Sequence, residues 1–512
     1  MNVAFRVDAS FIIGSGHVYR CLSLAHQLKK NGHQVYFISA EQPGHLNALI
    51  TRAGFSVFTI SEPMLSIDPE NSNSWLGRDL QVDANETIRY LNQVTQIDYL
   101  IIDHYGINSR WETRLRDSVK NILVIDDLAN RSHNCDILID QTYGRIKQNY
   151  HSLVSPETEL LLGSDYALIR DEFLIAKPSA LTNRSLCTQI KKILINLGGT
   201  DRTNVSEFLL KLLNHSSIAN DIKIAIIVGP NNPNHRSLIN ATAQSRFQQC
   251  TVLNSISNMA EILSHYDLAI GASGASAWER CSLGLPSINI ELASNQKEIC
   301  AVLAKQGAAL SLGEPQHINS ETLEQAIQYC QEHYSEMVNS ALDLIDGKGV
   351  TRTTLSLYRR PLLDGRLAHL KLASTTDCKL LYQWQCEPST RQYALNPHAP
   401  SWVEHKQWFY NQLSKTNSYL YMLVSTGEPL GMLRLDQLAD QSQYEISIIT
   451  APNVRRTGVA KAALQLARDC FPKADFYATV LPENKASNQL FQKQNYHHIQ
   501  SNRYRQKADG SH

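Results

Sequence analysis

Short apolar runs alternate with amphipathic stretches along the first third of the chain. "VAFRV" (residues 3–7), "VYFIS" (35–39), "YLIIDHY" (99–105), "ILVIDD" (122–127) and "DILID" (136–140) read as strands, with helix-like segments between several of them. That alternation predicts a parallel sheet covered by helices, expected over residues 1–145. The rhythm weakens between residues 141 and 191, where "AKPSALTNRSLCTQ" (176–189) reads as a linker. A second series, "KILINLGG", "IKIAIIVG", "CTVLN", "LAIGASG" and "PSINIEL", predicts another Rossmann-like half over 190–360. Helix-like segments at 376–385 and 402–413, then strands at 419–425, 428–436 and 444–450, predict a mixed α/β module over 367–507.

With 512 residues the chain is too long for one core, in keeping with three compact regions. Formal charge is zero, with 48 basic and 48 acidic residues, so there is no electrostatic footprint for nucleic acid or an anionic membrane. The opening strand lacks the layout of a signal peptide, and no apolar run has membrane-spanning length, so a cytoplasmic location is expected. Ten cysteines are scattered singly, with neither a C-x-x-C pair nor a zinc-spaced cluster. Reduced thiols and no metal are expected.

The stretch "VAFRVDASFIIGSGH" runs from a strand through a glycine turn into a helix starting near His17. Apolar positions Val18, Cys21, Leu22, Leu24, Ala25 and Leu28 form its buried stripe, and Asn31-Gly32 ends it. Such a loop lies at the carboxyl edge of the sheet, where helix N–H groups favour an electron-rich ligand. Gly14 and Gly16 also match the first two glycines of a dinucleotide fingerprint, but Tyr19 occupies the third position, where close packing excludes bulk. Spacing alone leaves two roles open for His17. It is either a polar first-turn residue bonded to a neighbour, or a general base kept neutral by the helix N-terminus.

Longer stretches narrow the choice. "DASFIIGSGHVYRCLSLA" (8–25), "IIDHYGI" (101–107), "VIDDLANR" (124–131), "NLGGTD" (196–201) and "GASGASAWERCSLGLPSINIELASNQ" (271–296) together resemble the UDP-2,4-diacetamido-2,4,6-trideoxy-β-L-altropyranose hydrolases of pseudaminic acid biosynthesis. The resemblance covers roughly the first two thirds of the chain and implies two Rossmann-like domains of GT-B type. It implies that His17 activates water, with Gly14, Gly16, Arg20, Tyr105, Asn295 and Gln296 around the sugar. UDP is expected at Gly198, Gly199, Ser273, Gly274, Ala275 and Ser276, whose small side chains admit a diphosphate, and Glu279 is expected to accept from the ribose. Thr200 would face the same cleft. The implied reaction is inverting, with C–O cleavage and without a metal. Plainer readings are a packed aromatic for Tyr105, tight turns for the glycines and a first-turn charge for Glu279.

In the third region "EISIITAPNVRRTGVAKAALQLARD" (445–469) resembles the coenzyme loop of the GNAT acetyltransferases, supported by "EHKQWF" (404–409) and "VLPENKASNQLFQKQNY" (480–496). The resemblance implies that acetyl-CoA is gripped by Arg455, Arg456, Gly458, Val459 and Ala460, with Asn484 and Asn488 nearby; helix capping is the plain alternative for Asn484. Phe491 stands where many GNAT enzymes carry an acidic tyrosine, which leaves Tyr496 or water to protonate the thiolate. Glu445 is a candidate base or simply a strand residue facing solvent. The combined expectation is a bifunctional enzyme taking a UDP-sugar and acetyl-CoA, with no nucleic-acid or membrane partner. The alternatives are a GT-B glycosyltransferase, or a hydrolase carrying a CoA-binding or interaction domain without turnover.

Overall fold

The computed structural model describes residues 1–61, 65–199, 201–229, 232–254, 256–293, 296–440, 442–500 and 502–508. They form two compact units, Met1–Thr351 and Arg352–His512.

The first unit contains two parallel sheets. Strands Asn2–Val7 (β1), Gln34–Ala40 (β2), Ser56–Ile60 (β3), Ile97–Asp103 (β4), Val119–Ile125 (β5), Ile137–Asp140 (β6) and Glu159–Leu162 (β7) lie in the order β3-β2-β1-β4-β5-β6-β7. The switch between β2 and β4 on either side of β1 leaves a crevice at the carboxyl ends, where the β1 loop and the end of β4 meet. Strands Lys192–Asn196 (β8), Lys223–Ile227 (β9), Gln249–Leu253 (β10), Leu268–Ala272 (β11), Ser287–Ile290 (β12) and Ala309–Ser311 (β13) form the second sheet, ordered β10-β9-β8-β11-β12-β13. Here the switch falls at β8, and the loop after β11 stands beside it.

The helix Gly16–Lys30 buries the whole expected stripe and ends at Asn31 with Lys29 and Lys30 in its last turn, where cations suit the dipole. Two expectations change. The segment expected as a linker is largely the helix Asp171–Leu186, with Pro178 in its interior. Its Ser, Thr and Asn content reads as loop, but tertiary docking wins: Phe173 and Ala180 are buried, and Arg184 donates to the carbonyls of Leu263 (2.9 Å) and Ser264 (3.5 Å), which close the helix Met259–Ser264. Strand β7, beyond the expected end of the first half, extends the first sheet because Leu161 and its neighbours pair with β6.

The second unit is built on a mixed sheet. Strands Arg360–Pro361 (β14), Leu367–Leu372 (β15), Ser418–Ser425 (β16), Glu428–Gln437 (β17), Gln443–Thr450 (β18), Asp475–Thr479 (β19), His497–Gln500 (β20) and Arg503–Gln506 (β21) lie in the order β14-β15-β16-β17-β18-β19-β21-β20. Residues 352–360, expected with the preceding half, belong here: β14 pairs with β15 and Leu355 joins this core. Strands β18 and β19 run parallel, but pair only over Gln443–Glu445 and Asp475–Tyr477. Beyond that point they part, and the helix Val459–Cys470 follows β18.

Candidate functional sites

The carboxyl end of β4 delivers Asp103 beneath the first turn of Gly16–Lys30. His17 Nδ1 and Asp103 Oδ1 are 2.6 Å apart, and both groups are buried. Arg20, one turn along the helix, grips Asp103 with Nε to Oδ2 and Nη2 to Oδ1, both 2.6 Å, and reaches Asp127 Oδ2 with Nη1 at 2.8 Å. Tyr105 donates its hydroxyl to Asp127 and sets its ring edge-on to His17, centroids 4.6 Å apart. Arg131 also stands over that ring, 5.6 Å from its centroid.

Burial alone would raise the Asp103 carboxyl. The Arg20 guanidinium and His17 outweigh it and hold the group well below the usual carboxylate range. The Tyr105 hydroxyl moves the other way, pushed up by burial and by Asp127. Arg20 Nη2 also lies 3.2 Å from His17 Nδ1, but the shorter carboxylate contact decides the tautomer. A bare Nδ1 lone pair would oppose the carboxylate at 2.6 Å, so Nδ1 carries the proton toward Asp103 and Nε2 is the nitrogen turned away from it.

His17, Arg20 and Tyr105 are therefore brought together. Asp103 and Asp127 were not foreseen; both lie in the apolar runs read as β4 and β5, at or just past the strand ends where a parallel sheet exposes its chemistry.

Across the cleft, Gly16 stands against the start of the helix Ala275–Ser282, where an added Cβ would lie 3.9 Å from the Ala275 Cβ. Two helix N-termini thus converge, and neither is capped by the side chain of its N-cap residue: Ser15 makes no such bond and Gly274 has no side chain. Gly16, Arg20, Ala275, Trp278 and Glu279 line one pocket together with Arg170. Glu279 accepts from Arg170 Nε (3.1 Å) and Nη2 (2.9 Å); burial raises this carboxyl, and Arg170 offsets only part of the rise.

The other expected residues are more dispersed. Ser273 is buried and accepts from Cys300 Sγ at 3.0 Å; Ser276 accepts from Arg280. Gly274 precedes the first turn of Ala275–Ser282, whereas Gly14 turns back to bond Ser10 O through its N–H at 2.9 Å. The Gly199 carbonyl accepts from Gly229 N at 2.9 Å, and neither Gly198 nor Gly199 lines the pocket. Gln296 accepts from Leu292 N at 3.1 Å. Thr200 and Asn295 lie outside the described residues.

In the second unit, Arg455, Arg456, Gly458, Val459 and Ala460 line a pocket with Leu363, Thr450, Lys461 and Leu490. Gly458 has φ +93°, a conformation side chains resist, and no side chain caps the helix it starts. The N–H groups of its first turn, with Arg456 and Lys461 beside them, suit a pyrophosphate. Asn484 and Asn488 do not line this pocket. Asn484 caps Lys485–Lys493 through Ser487 N (3.1 Å), while Asn488 donates to the carbonyls of Leu481 (3.0 Å) and Asn484 (2.9 Å) and accepts from Tyr504 (2.7 Å). Glu445 accepts from Thr479 (2.8 Å) and Arg503 (3.3 Å) where β18 and β19 part.

Among the described residues no helix is long and apolar enough to cross a membrane, and no group of three or more His, Cys, Asp or Glu side chains is placed to hold a metal ion.

Two parallel-sheet halves facing across a cleft, followed by a mixed sheet with a splayed parallel pair, define an enzyme of GT-B architecture carrying a GNAT domain. The glycosyltransferase family 28 C-terminal domain matches residues 193–342, and the acetyltransferase (GNAT) domain matches residues 368–497. MurG of Acinetobacter baumannii superposes with a TM-score of 0.50 at 16% identity, over 69% of this chain and 97% of that one, a likeness of fold. The UDP-2,4-diacetamido-2,4,6-trideoxy-β-L-altropyranose hydrolase of Campylobacter jejuni is 32% identical over 242 residues, 46% of this chain and 73% of its own. This chain belongs to that hydrolase family. An uncharacterized protein of Methanocaldococcus jannaschii is 24% identical over 508 residues, 96% of each chain.

Proposed function

We propose that the chain is a bifunctional nucleotide-sugar enzyme of pseudaminic acid biosynthesis. The first unit hydrolyses UDP-2,4-diacetamido-2,4,6-trideoxy-β-L-altropyranose, and the second uses acetyl-CoA to acetylate the 4-amino group of its precursor. The observation that carries the hydrolase reading is His17, held by Asp103 with Nε2 left as base, in a cleft where two uncapped helix N-termini meet.

His17 Nε2 takes a proton from water as its oxygen bonds to the anomeric carbon. The carbon–oxygen bond to the diphosphate breaks, its electron pair leaves with UDP, and the configuration inverts. Asp103 steadies the imidazolium that forms, while Arg20 fixes Asp103 and, through Asp127, the Tyr105 hydroxyl. The helix N-terminus at Ala275 faces the growing charge on the diphosphate. Glu279 holds the ribose, and Gly198, Gly199, Ser273, Gly274 and Ser276 border the nucleotide. In the second unit, acetyl-CoA supplies the acyl group when bound, and Arg455, Arg456 and the backbone of Gly458–Ala460 hold its pyrophosphate.

One observation favours a second reading for that unit, a CoA-binding domain without turnover. Phe491 has no hydroxyl, and the Tyr496 hydroxyl is buried and, among the described residues, without a hydrogen-bond partner, which supports a reading in which neither protonates a thiolate.

Proton NMR with the UDP-4-amino-sugar, without any sugar acceptor, tests both readings. The acetylated sugar and free UDP should appear only when acetyl-CoA is present. Acetylation without UDP release would point to a glycosyltransferase awaiting an acceptor; no acetylation would leave the second unit a binding domain.

A further inference from the structure

The helix Ala275–Ser282 carries a charge that the proposed chemistry has not used. Arg280 is only 1% exposed, and all its partners are neutral: Ser287 Oγ (3.1 Å), Ser276 Oγ (3.3 Å), the Ala272 carbonyl (3.0 Å) and Asn289 Oδ1 (2.8 Å). Among the described residues no carboxylate pairs with it, since Glu279 next in the chain is taken by Arg170. Burial pulls its pKa below the ordinary arginine value, and the neighbouring Cys281 and Glu279 offset only part of that. A buried charge held by neutral dipoles alone is costly to a fold, and structures ordinarily supply a counterion.

The surrounding residues are shaped to admit this guanidinium. At Gly271 an added Cβ would lie 2.7 Å from Arg280 Nη1 and 2.9 Å from the Asn196 carbonyl oxygen, so only glycine fits. The guanidinium lies against the loop 272–276, where β11 gives way to the helix Ala275–Ser282. Its contacts reach both ends of that loop, and by donating to Ser276 Oγ it leaves the Ser276 hydroxyl proton to point elsewhere.

We propose that Arg280 is an electrostatic positioning residue whose missing counterion is the diphosphate of the bound nucleotide, reached through the loop 272–276 rather than by contact. The inference rests on the UDP-binding reading of this half. The positive helix terminus, the buried guanidinium and the Ser276 hydroxyl act in the same direction, and all are in place before the ligand arrives, so the developing charge on UDP meets a field needing no reorganisation.

The test compares UDP with uridine, the same ligand without its charge, by calorimetry on the full-length protein. Two variants remove the field in opposite ways. Arg280→Met deletes the charge, and Asn289→Asp keeps the arginine but gives it a carboxylate at the position of a 2.8 Å contact. Each should weaken UDP binding by roughly tenfold or more while leaving uridine binding unchanged. Should Arg280→Met fail to fold by circular dichroism, Asn289→Asp carries the test, since it changes one atom and satisfies the guanidinium better. Equal losses for UDP and uridine, or no loss for either, would overturn the proposal and leave Arg280 a structural residue. A wild-type protein that binds uridine and UDP equally would overturn it too, with the nucleoside site intact. Binding of neither ligand by wild type would instead bring down the nucleotide reading, and this proposal with it.

Discussion

At the residue scale, the proposed base depends on the 2.6 Å contact between His17 Nδ1 and Asp103, which orients the ring and turns Nε2 away from the carboxylate. His17→Ala should lower UDP-sugar hydrolysis by at least about a hundredfold while UDP binding persists, as single-turnover rates and calorimetry together would show. Asp103→Asn should cost a similar factor, since an amide can present its N–H to Nδ1 and hold the wrong tautomer. The same carboxylate gives a pH signature. Its folded pKa lies below the ordinary value of about 3.9, so its contribution is fully present above that pH and fades only as pH falls further, through the depressed folded value. Hydrogen-exchange protection of the Gly16–Lys30 amides should therefore be weaker in Asp103→Asn than in wild type from neutral pH down to about 4, the two converging only below it. A gap that opens on acidification would contradict this sign.

At the scale of elements, the sites are built where strands end and helices begin. The turn before Val459–Cys470 depends on Gly458 at φ +93°, with Leu363 Cγ already 3.4 Å from where a Cβ would stand. Gly458→Trp should abolish acetyl-CoA binding, measured by calorimetry. Asn484 acts differently, as a cap whose loss costs about 1 kcal/mol of local helix stability. Asn484→Ala should loosen the amides of Lys485–Lys493 in hydrogen exchange with only a modest change in acetyl-CoA affinity. Strong loss of affinity with unchanged protection would return Asn484 to the ligand.

Over the whole molecule, the two compact units predict separable activities. Gly458→Trp should leave hydrolysis of the diacetamido sugar intact, and His17→Ala should leave acetylation of the amino sugar intact. Loss of both activities in either variant would show the chemistry to be shared between units. Water enriched in heavy oxygen should label the released sugar and not UDP, as C–O cleavage requires; label in UDP would mean attack at phosphorus.

Much of this was legible in the chain itself. Apolar runs fixed most strands to within a residue or two, because strands covered on both faces must be apolar throughout. Small-residue turns before helices marked both glycine loops, and motif order carried the family. What the chain did not disclose are relations between distant residues. Asp103 reads as the end of a strand until the β1–β4 pairing puts it under His17, 86 positions away. The helix Asp171–Leu186 reads as a linker because only docking against Met259–Ser264 compensates its poor helix formers. Asn484 and Asn488 read as ligand contacts or, for Asn484, as a helix cap; the bonds of their side chains to local carbonyls, a backbone N–H and the Tyr504 hydroxyl appear only in the fold. Arg280 gives no periodic signal, since one arginine in a helix reads as solvated. Local pattern determines most of the strands and helices; whether a weak segment such as Asp171–Leu186 becomes one, which charges are buried together, and which one lacks a carboxylate among the described residues, is settled only when the chain has closed around them.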